Sequence, residues 1–168
     1  IYLLRIGNAK LFKSLNDLGV VPRKSRSLEF PDVPANYLAD FIRGYFDGDG
    51  CVHIECSKIT NIPKLLLIVF TSGSESYLRV MHEKLRALTA IKNKGNIIVT
   101  KSGTGKTAYQ LRYSTRDSLR IFFLLYPHRL RNDLFLKRKR DVFNRYFALR
   151  KIRPENIGLI VDGSGPIH

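Results

Sequence analysis

Apolar residues at Leu38, Phe41, Ile42, Tyr45 and Phe46 recur at i, i+3, i+4, i+7 and i+8, which predicts one buried helix face. Pro34 suits the first turn of that helix, and Gly48 and Gly50 suit its exit. From Cys51 to Ser57 the period changes to two. Val52, Ile54 and Cys56 take one side, while Cys51, His53, Glu55 and Ser57 take the other. A turn through Thr60-Asn61-Ile62-Pro63 leads into Lys64–Ser72, an apolar strand whose pattern leaves its register open. Ser74 can cap a following helix with the stripe Tyr77, Met81, Leu85 and Leu88. Strands are expected at about Gly95–Lys101 and Thr107–Tyr113, the second burying Tyr109, Leu111 and Tyr113 and exposing Gln110 and Arg112. Helical segments close the pattern at about Arg116–Leu125 and Asp133–Lys151.

That order predicts an α+β fold, an αββαββα unit whose antiparallel sheet carries helices on one face only. The other face is then available to a ligand. The start of the chain supplies a second clue. Tyr2-Leu3-Leu4-Arg5, followed by an amphipathic helix through Leu11, Leu15 and Leu18, parallels Tyr109-Gln110-Leu111-Arg112 and its helix at an offset of 107 residues. Residues 1–28 therefore read as the tail of a preceding partial repeat, with Gly19 as the helix stop. Residues 29–153 read as one complete repeat and 154–168 as a flexible tail.

Composition narrows the partners. The chain has 168 residues, 44% of them hydrophobic, enough to bury a core. Its 29 Lys and Arg against 14 acids give a formal charge of +15, an excess that self-repels unless a polyanion is bound. No apolar run approaches the roughly 20 residues of a membrane-spanning helix, so no membrane partner is expected. The 2 cysteines are too few for a disulfide framework or a cysteine zinc site, and read as reduced thiols of an intracellular protein. His53, His82, His128 and His168 show no ligand spacing.

The predicted first helix of the complete repeat runs into Asp47-Gly48-Asp49-Gly50. Gly44 inside it costs about 1 kcal/mol against alanine, and with Gly48 it forms a ridge that lets a second backbone approach. Two acids at a helix C-terminus meet an unfavourable macrodipole, so a positive charge is required there. A divalent cation held by carboxylate and backbone oxygens, of the Mg²⁺ kind, satisfies it. An EF-hand is rejected because its fifth and twelfth loop positions fall on Cys51 and Lys58. Ser102-Gly103-Thr104-Gly105-Lys106 imitates a P-loop, but Thr100 occupies the position that needs glycine, leaving a basic hairpin tip.

The stretch Ile42-Arg43-Gly44-Tyr45-Phe46-Asp47-Gly48-Asp49-Gly50 resembles the LAGLIDADG motif of the homing endonucleases. The resemblance implies a Mg²⁺-dependent double-stranded DNA endonuclease whose motif helix packs against another copy. That copy comes from a homodimer partner or from a second half of one longer chain. It gives Asp49 the role of catalytic metal ligand, Gly48 a carbonyl contribution, and Asp47 a structural role at the helix end. Arg43 departs from the motif's small second residue and must point away from the helix seam. A basic catalytic residue is implied just before the last helix, with Lys137 the best match and Lys24, in the partial repeat, the weaker one. DNA contacts are expected from Arg5, His53, Glu55, Ser57, Thr71, Gln110, Arg112 and Lys139, because arginine, glutamine and glutamate can read base edges in the major groove. The basic cluster from Arg129 to Arg153 is expected to hold phosphates. The competing reading is a non-cleaving DNA- or RNA-binding module, a splicing cofactor or regulator, on the same fold. Compartment (bacterial or archaeal cytoplasm, or an organelle) and intron, intein or free-standing origin stay open.

Overall fold

The structure, a computed structural model, describes residues 5–21, 24–89, 91–92, 95–101, 107–127 and 134–153. It begins with α1 (Ala9–Asp17), whose first turn is capped by the Asn8 side chain accepting from Leu11 N at 2.9 Å. Gly19, at φ 81°, turns the chain out of the helix while Val20 N donates to Leu15 O at 2.9 Å, the six-to-one bond of a Schellman stop. None of α1 is buried.

An extended segment then leads through two short 3₁₀ turns, Lys24–Arg26 and Ala35–Tyr37, into α2 (Leu38–Asp49). Pro34 precedes the second of these turns, so α2 starts later than its proline suggests. The strands and helices follow as β1 (Gly50–Cys56), β2 (Pro63–Ser72), α3 (Glu75–Thr89), β3 (Ile97–Lys101), β4 (Thr107–Tyr113), α4 (Thr115–Leu125) and α5 (Lys137–Leu149). From α2 to α4 this is the αββαββα order, with α5 added.

All pairings are antiparallel, and the four strands lie in the order β1-β2-β4-β3. The register of β2 that the sequence left open is now set: Phe70 faces Gly50, Leu67 faces His53, and Ile68 faces Tyr113. Leu66, Ile68 and Phe70 are fully buried and point to the helices with Leu111 and Tyr113. Burying each such side chain stabilises by about 1.5–3 kcal/mol. Where β4 ends, α4 takes over its role beside β2. Thr115 and Ser118 hydroxyls accept from Leu66 N and Ile68 N, each at 3.1 Å, so the central strand keeps its donors satisfied.

Two helix ends deserve separate reasons. Ser74 caps α3 as its sequence position predicts, accepting from Tyr77 N at 3.3 Å. Helix α5 begins at Lys137 rather than near Asp133, because the Leu136 backbone N–H is taken by the Asp47 carboxylate at 2.9 Å. The segment ahead of α2 docks on the far end of β2: a Cβ at Gly73 would sit 2.2 Å from the Ser25 carbonyl oxygen, so only glycine allows that approach.

Candidate metal and nucleic-acid site

The last turn of α2 holds both acids, and the two have different surroundings. Asp47 turns inward, where its Oδ2 joins α2 to the start of α5. Asp49 is exposed, and with Gly48 it lines a cleft of about 610 Å³ closed by Ser25, Leu28, Tyr45, Thr71, Ser72, Gly73 and Ala108. Thr71 and Ala108 belong to the helix-free side of the sheet, so Asp49 opens toward that face at one end. Gly44 and Gly48 are exposed, and a Cβ on either would meet nothing within 4 Å. The ridge is therefore open on the outer side of α2.

Arg43 lies on a different face. It is 8% exposed, donates to the Leu125 carbonyl at 3.3 Å and pairs with Asp40 at 2.5 Å. It closes the C-terminal end of α4 and stays off the glycine ridge, as the motif requires of so large a residue.

The positive charge that the helix end needs is present in the chain itself. Lys139, 4% exposed, donates from Nζ to the carbonyls of Phe46, Asp47 (2.9 Å) and Gly50 (2.5 Å). Three acceptors match the three N–H donors of an ammonium, and the stem lies over the Phe46 ring with Nζ 5.0 Å from its centre. Burial lowers the Lys139 pKa, with Arg138 adding to this, while Asp47, Cys51 and Asp49 oppose it. The expectation of Lys139 as a DNA contact is thus corrected. It occupies the buried stripe of α5 with Phe143 and Tyr146, at i, i+4 and i+7, and that spacing was the signal available in the sequence. Lys139 thus supplies positive charge at the α2 terminus from within the chain.

Lys137 begins α5 and is exposed in a recess of about 440 Å³ with Phe135, Arg140, Asp141 and Asn144. Side chains two apart on a helix do not share a face, so Lys137 does not join Lys139 at the acidic end of α2. Lys24 lies in the first 3₁₀ turn, but its side chain is outside the described residues.

Tyr45, which the sequence reading placed only in the hydrophobic stripe, is part of the cleft. Its hydroxyl donates to the Thr71 carbonyl at 2.6 Å. Burial raises its pKa to about 12, a hydrogen bond with Ser72 opposes the rise, and the Asp49 charge adds to it. Tyr77 is raised for a related set of reasons: burial first, then Tyr45, then Asp49. A carboxylate, carbonyls and hydroxyls form a hard-oxygen donor set, which suits Mg²⁺ better than a softer ion. Among the described residues, however, no three His, Cys, Asp or Glu side chains come together as a metal cluster. Asp49 is the one acidic side chain among the described residues lining this cleft.

The helix-free face of the sheet collects most of the expected base-reading residues. His53 and Glu55 are exposed on β1, with Nε2 and Oε1 3.9 Å apart. Gln110 and Arg112 stand side by side on β4, Arg112 donating through Nε (3.1 Å) and Nη2 (2.6 Å) to the Gln110 oxygen. Thr71 is opposite Gln110. Ser57 is different, and its assignment is corrected. The β1–β2 register shifts between Glu55 and Cys56, so the alternation stops, and the Ser57 hydroxyl accepts from Ile59 N and Thr60 N at 3.3 Å within the turn. Cys56, expected on the inner side, is exposed for the same reason. Arg5 is exposed ahead of α1 and belongs to none of the four described strands; its expected strand neighbours, residues 1–4, lie outside the described residues. So do the hairpin tip at 102–106, residues 129–133 of the basic cluster, and 154–168.

The family description of a LAGLIDADG-like domain matches residues 36–125, more than half of the chain. The protein belongs to the LAGLIDADG family. The matched span runs from the turn before α2 to the end of α4, which takes in the motif helix and all four strands of the LAGLIDADG sheet. Helix α5, with Lys137 and Lys139, lies beyond it. Comparison with curated proteins gave no match. No helix among the described residues is long and apolar enough to cross a membrane.

Proposed function

We propose that this LAGLIDADG protein is a homing-type endonuclease that binds double-stranded DNA on the open sheet face and hydrolyses its phosphodiester bonds with Mg²⁺. The observation that carries the reading is the position of Asp49, an exposed carboxylate on a cleft shared with the edge of that face. The carboxylate of Asp49 and the carbonyl of Gly48 would hold the metal, whose contribution is to activate water and neutralise charge on the phosphate. The chain's own residues do the rest. Asp47 and Lys139 fix the end of α2, Gln110 and Arg112 meet base edges, and a charge of +15 draws the phosphate backbone in.

One carboxylate does not complete a two-metal site, so a second motif helix must supply the other across the open Gly44–Gly48 ridge. A twin chain or another LAGLIDADG half fits that requirement. Displaced by 107 residues, α1 falls on 116–124, inside α4, which supports residues 1–28 as the tail of a preceding repeat and 29–153 as the complete one. The two exposed free cysteines fit an intracellular, reducing setting.

Asp49→Asn keeps the shape of the side chain and removes its charge. Incubated with a duplex site library and Mg²⁺, the wild-type chain paired with a second motif helix should make double-strand breaks, and the variant in the same pairing should bind the same DNA without cutting it. Retained cutting by the variant overturns the role of Asp49. Binding without breaks by the wild-type chain when so paired favours the non-cleaving module.

A further inference from the structure

The helix-free face contains something that phosphate binding does not require. Leu65 and Leu67 alternate with the fully buried Leu66 and Ile68, so they point to the open side, where both are half-buried. Their cross-strand neighbours there are Glu55 and His53. Ile98, 40% exposed, stands beside Gln110 on the same face. Val69 lies between Cys51 and Arg112 in the same row of the sheet. Apolar and hydrogen-bonding side chains thus interleave across the surface on which the proposed function seats DNA.

From this mosaic we infer that Leu65 and Leu67, aided by Ile98, read thymine through its 5-methyl group. The inference rests on the DNA-binding reading above and names the base chemistry that the face selects. Among base edges in the major groove, thymine alone presents an apolar methyl, next to acceptors and donors suited to Gln110 and Arg112. Phosphates would gain nothing from leucine. A protein partner would call for a contiguous apolar centre, whereas here each leucine has a polar or charged neighbour across the strand pair. Spacing agrees as well. Residues two apart on a strand are separated by roughly 6.6 Å, close to two base-pair steps of about 3.4 Å. Leu65 and Leu67 are therefore placed to meet methyl groups about two pairs apart.

The test selects duplexes from a random-sequence library made with thymidine, using the full chain, and remakes the enriched sites with deoxyuridine at one thymine at a time. Uracil keeps every hydrogen-bonding group and removes only the methyl. Loss of about two- to fourfold in affinity at individual thymines is expected, the worth of one partly or fully buried methyl. Leu67→Ser should remove that discrimination, its affinities for the thymine and uracil duplexes becoming equal at the affected position. Leu65→Ser provides the same reading at the neighbouring position should the first variant not fold. Equal affinity for the thymine and uracil duplexes overturns the inference and leaves the DNA-binding reading standing. Failure of the wild-type chain to enrich any duplex overturns both.

Discussion

Replacing Lys139 by methionine keeps most of the apolar stem and deletes the ammonium that ties α5 to α2. The carbonyls of Phe46, Asp47 and Gly50 lose this donor at once, and that of Phe46 keeps the Gly50 N–H. A hydrogen bond to a charged group contributes about 1.5–3 kcal/mol, and a buried acceptor left without a partner costs about 1–3 kcal/mol. Against this, removing a nearly buried charge returns several kcal/mol of desolvation. Substituting a whole buried ion pair by apolar groups can be neutral, but here the acceptors stay behind and cannot leave the helix end. The balance is a loss of about 3 kcal/mol, a large share of the 5–15 kcal/mol typical of a domain. With a urea slope of about 1–3 kcal/mol per molar, the unfolding midpoint should fall by about 1–3 M. Circular dichroism against urea measures it directly. A midpoint equal to or above that of the wild type would refute the assignment of Lys139 as the cap of α2.

Gly44→Ala should separate folding from pairing. The added Cβ meets nothing within 4 Å, so the lone chain gains up to about 1 kcal/mol of helix propensity, read as a higher urea midpoint. Association with a second motif helix should weaken, seen by sedimentation; a fall in stability instead would mean that the ridge is already covered. Alkaline pH provides a further check. Tyr45 is raised to about 12 from the ordinary 10.0, and Tyr77, Tyr113 and Tyr126 are raised as well, burial being the first cause in each. Above about pH 10 the unfolded chain releases these protons and the folded chain keeps them. Stability then falls with rising pH, by up to about 1.4 kcal/mol per pH unit for each tyrosine, until the folded pKa is passed. Tyrosinate absorbance and circular dichroism should change together. Ionisation of all 8 tyrosines near pH 10 while the fold persists would contradict the burial described for these four.

Local rules carried most of the fold. The stripe through Leu38, Ile42 and Phe46, the alternation from Val52 to Ile54, the Ser74 cap and the Gly19 stop each depend on neighbours within a few residues, and each is seen. What stayed illegible depends on contacts across the chain. The start of α5 is set by a carboxylate 89 positions earlier, and Ser57 left the row of His53 and Glu55 because a register shift at Glu55/Cys56 came first. Lys139 was missed because a lysine among Arg138, Arg140 and Lys137 reads as one more surface charge. Only its spacing with Phe143 and Tyr146 says otherwise.

The positive charge that the sequence demanded at this helix end is supplied by a lysine of the chain itself. A helix ending in Asp47 and Asp49 does need a positive charge, and α5 delivers one from beneath, through Lys139, to the carbonyls of that turn. This changes what the two acids are left to do. Asp47 is engaged by the backbone of Leu136, and the carbonyl dipoles around it are already met by the ammonium. Asp49, two residues on and rotated outward, takes no part in that junction and faces the cleft beside Thr71 and Ala108. The division between a structural and an open acid is therefore made by α5, a helix outside the matched LAGLIDADG span. A substitution on α5 that loosens Lys139 should disturb the Asp49 end of α2 before it disturbs the sheet.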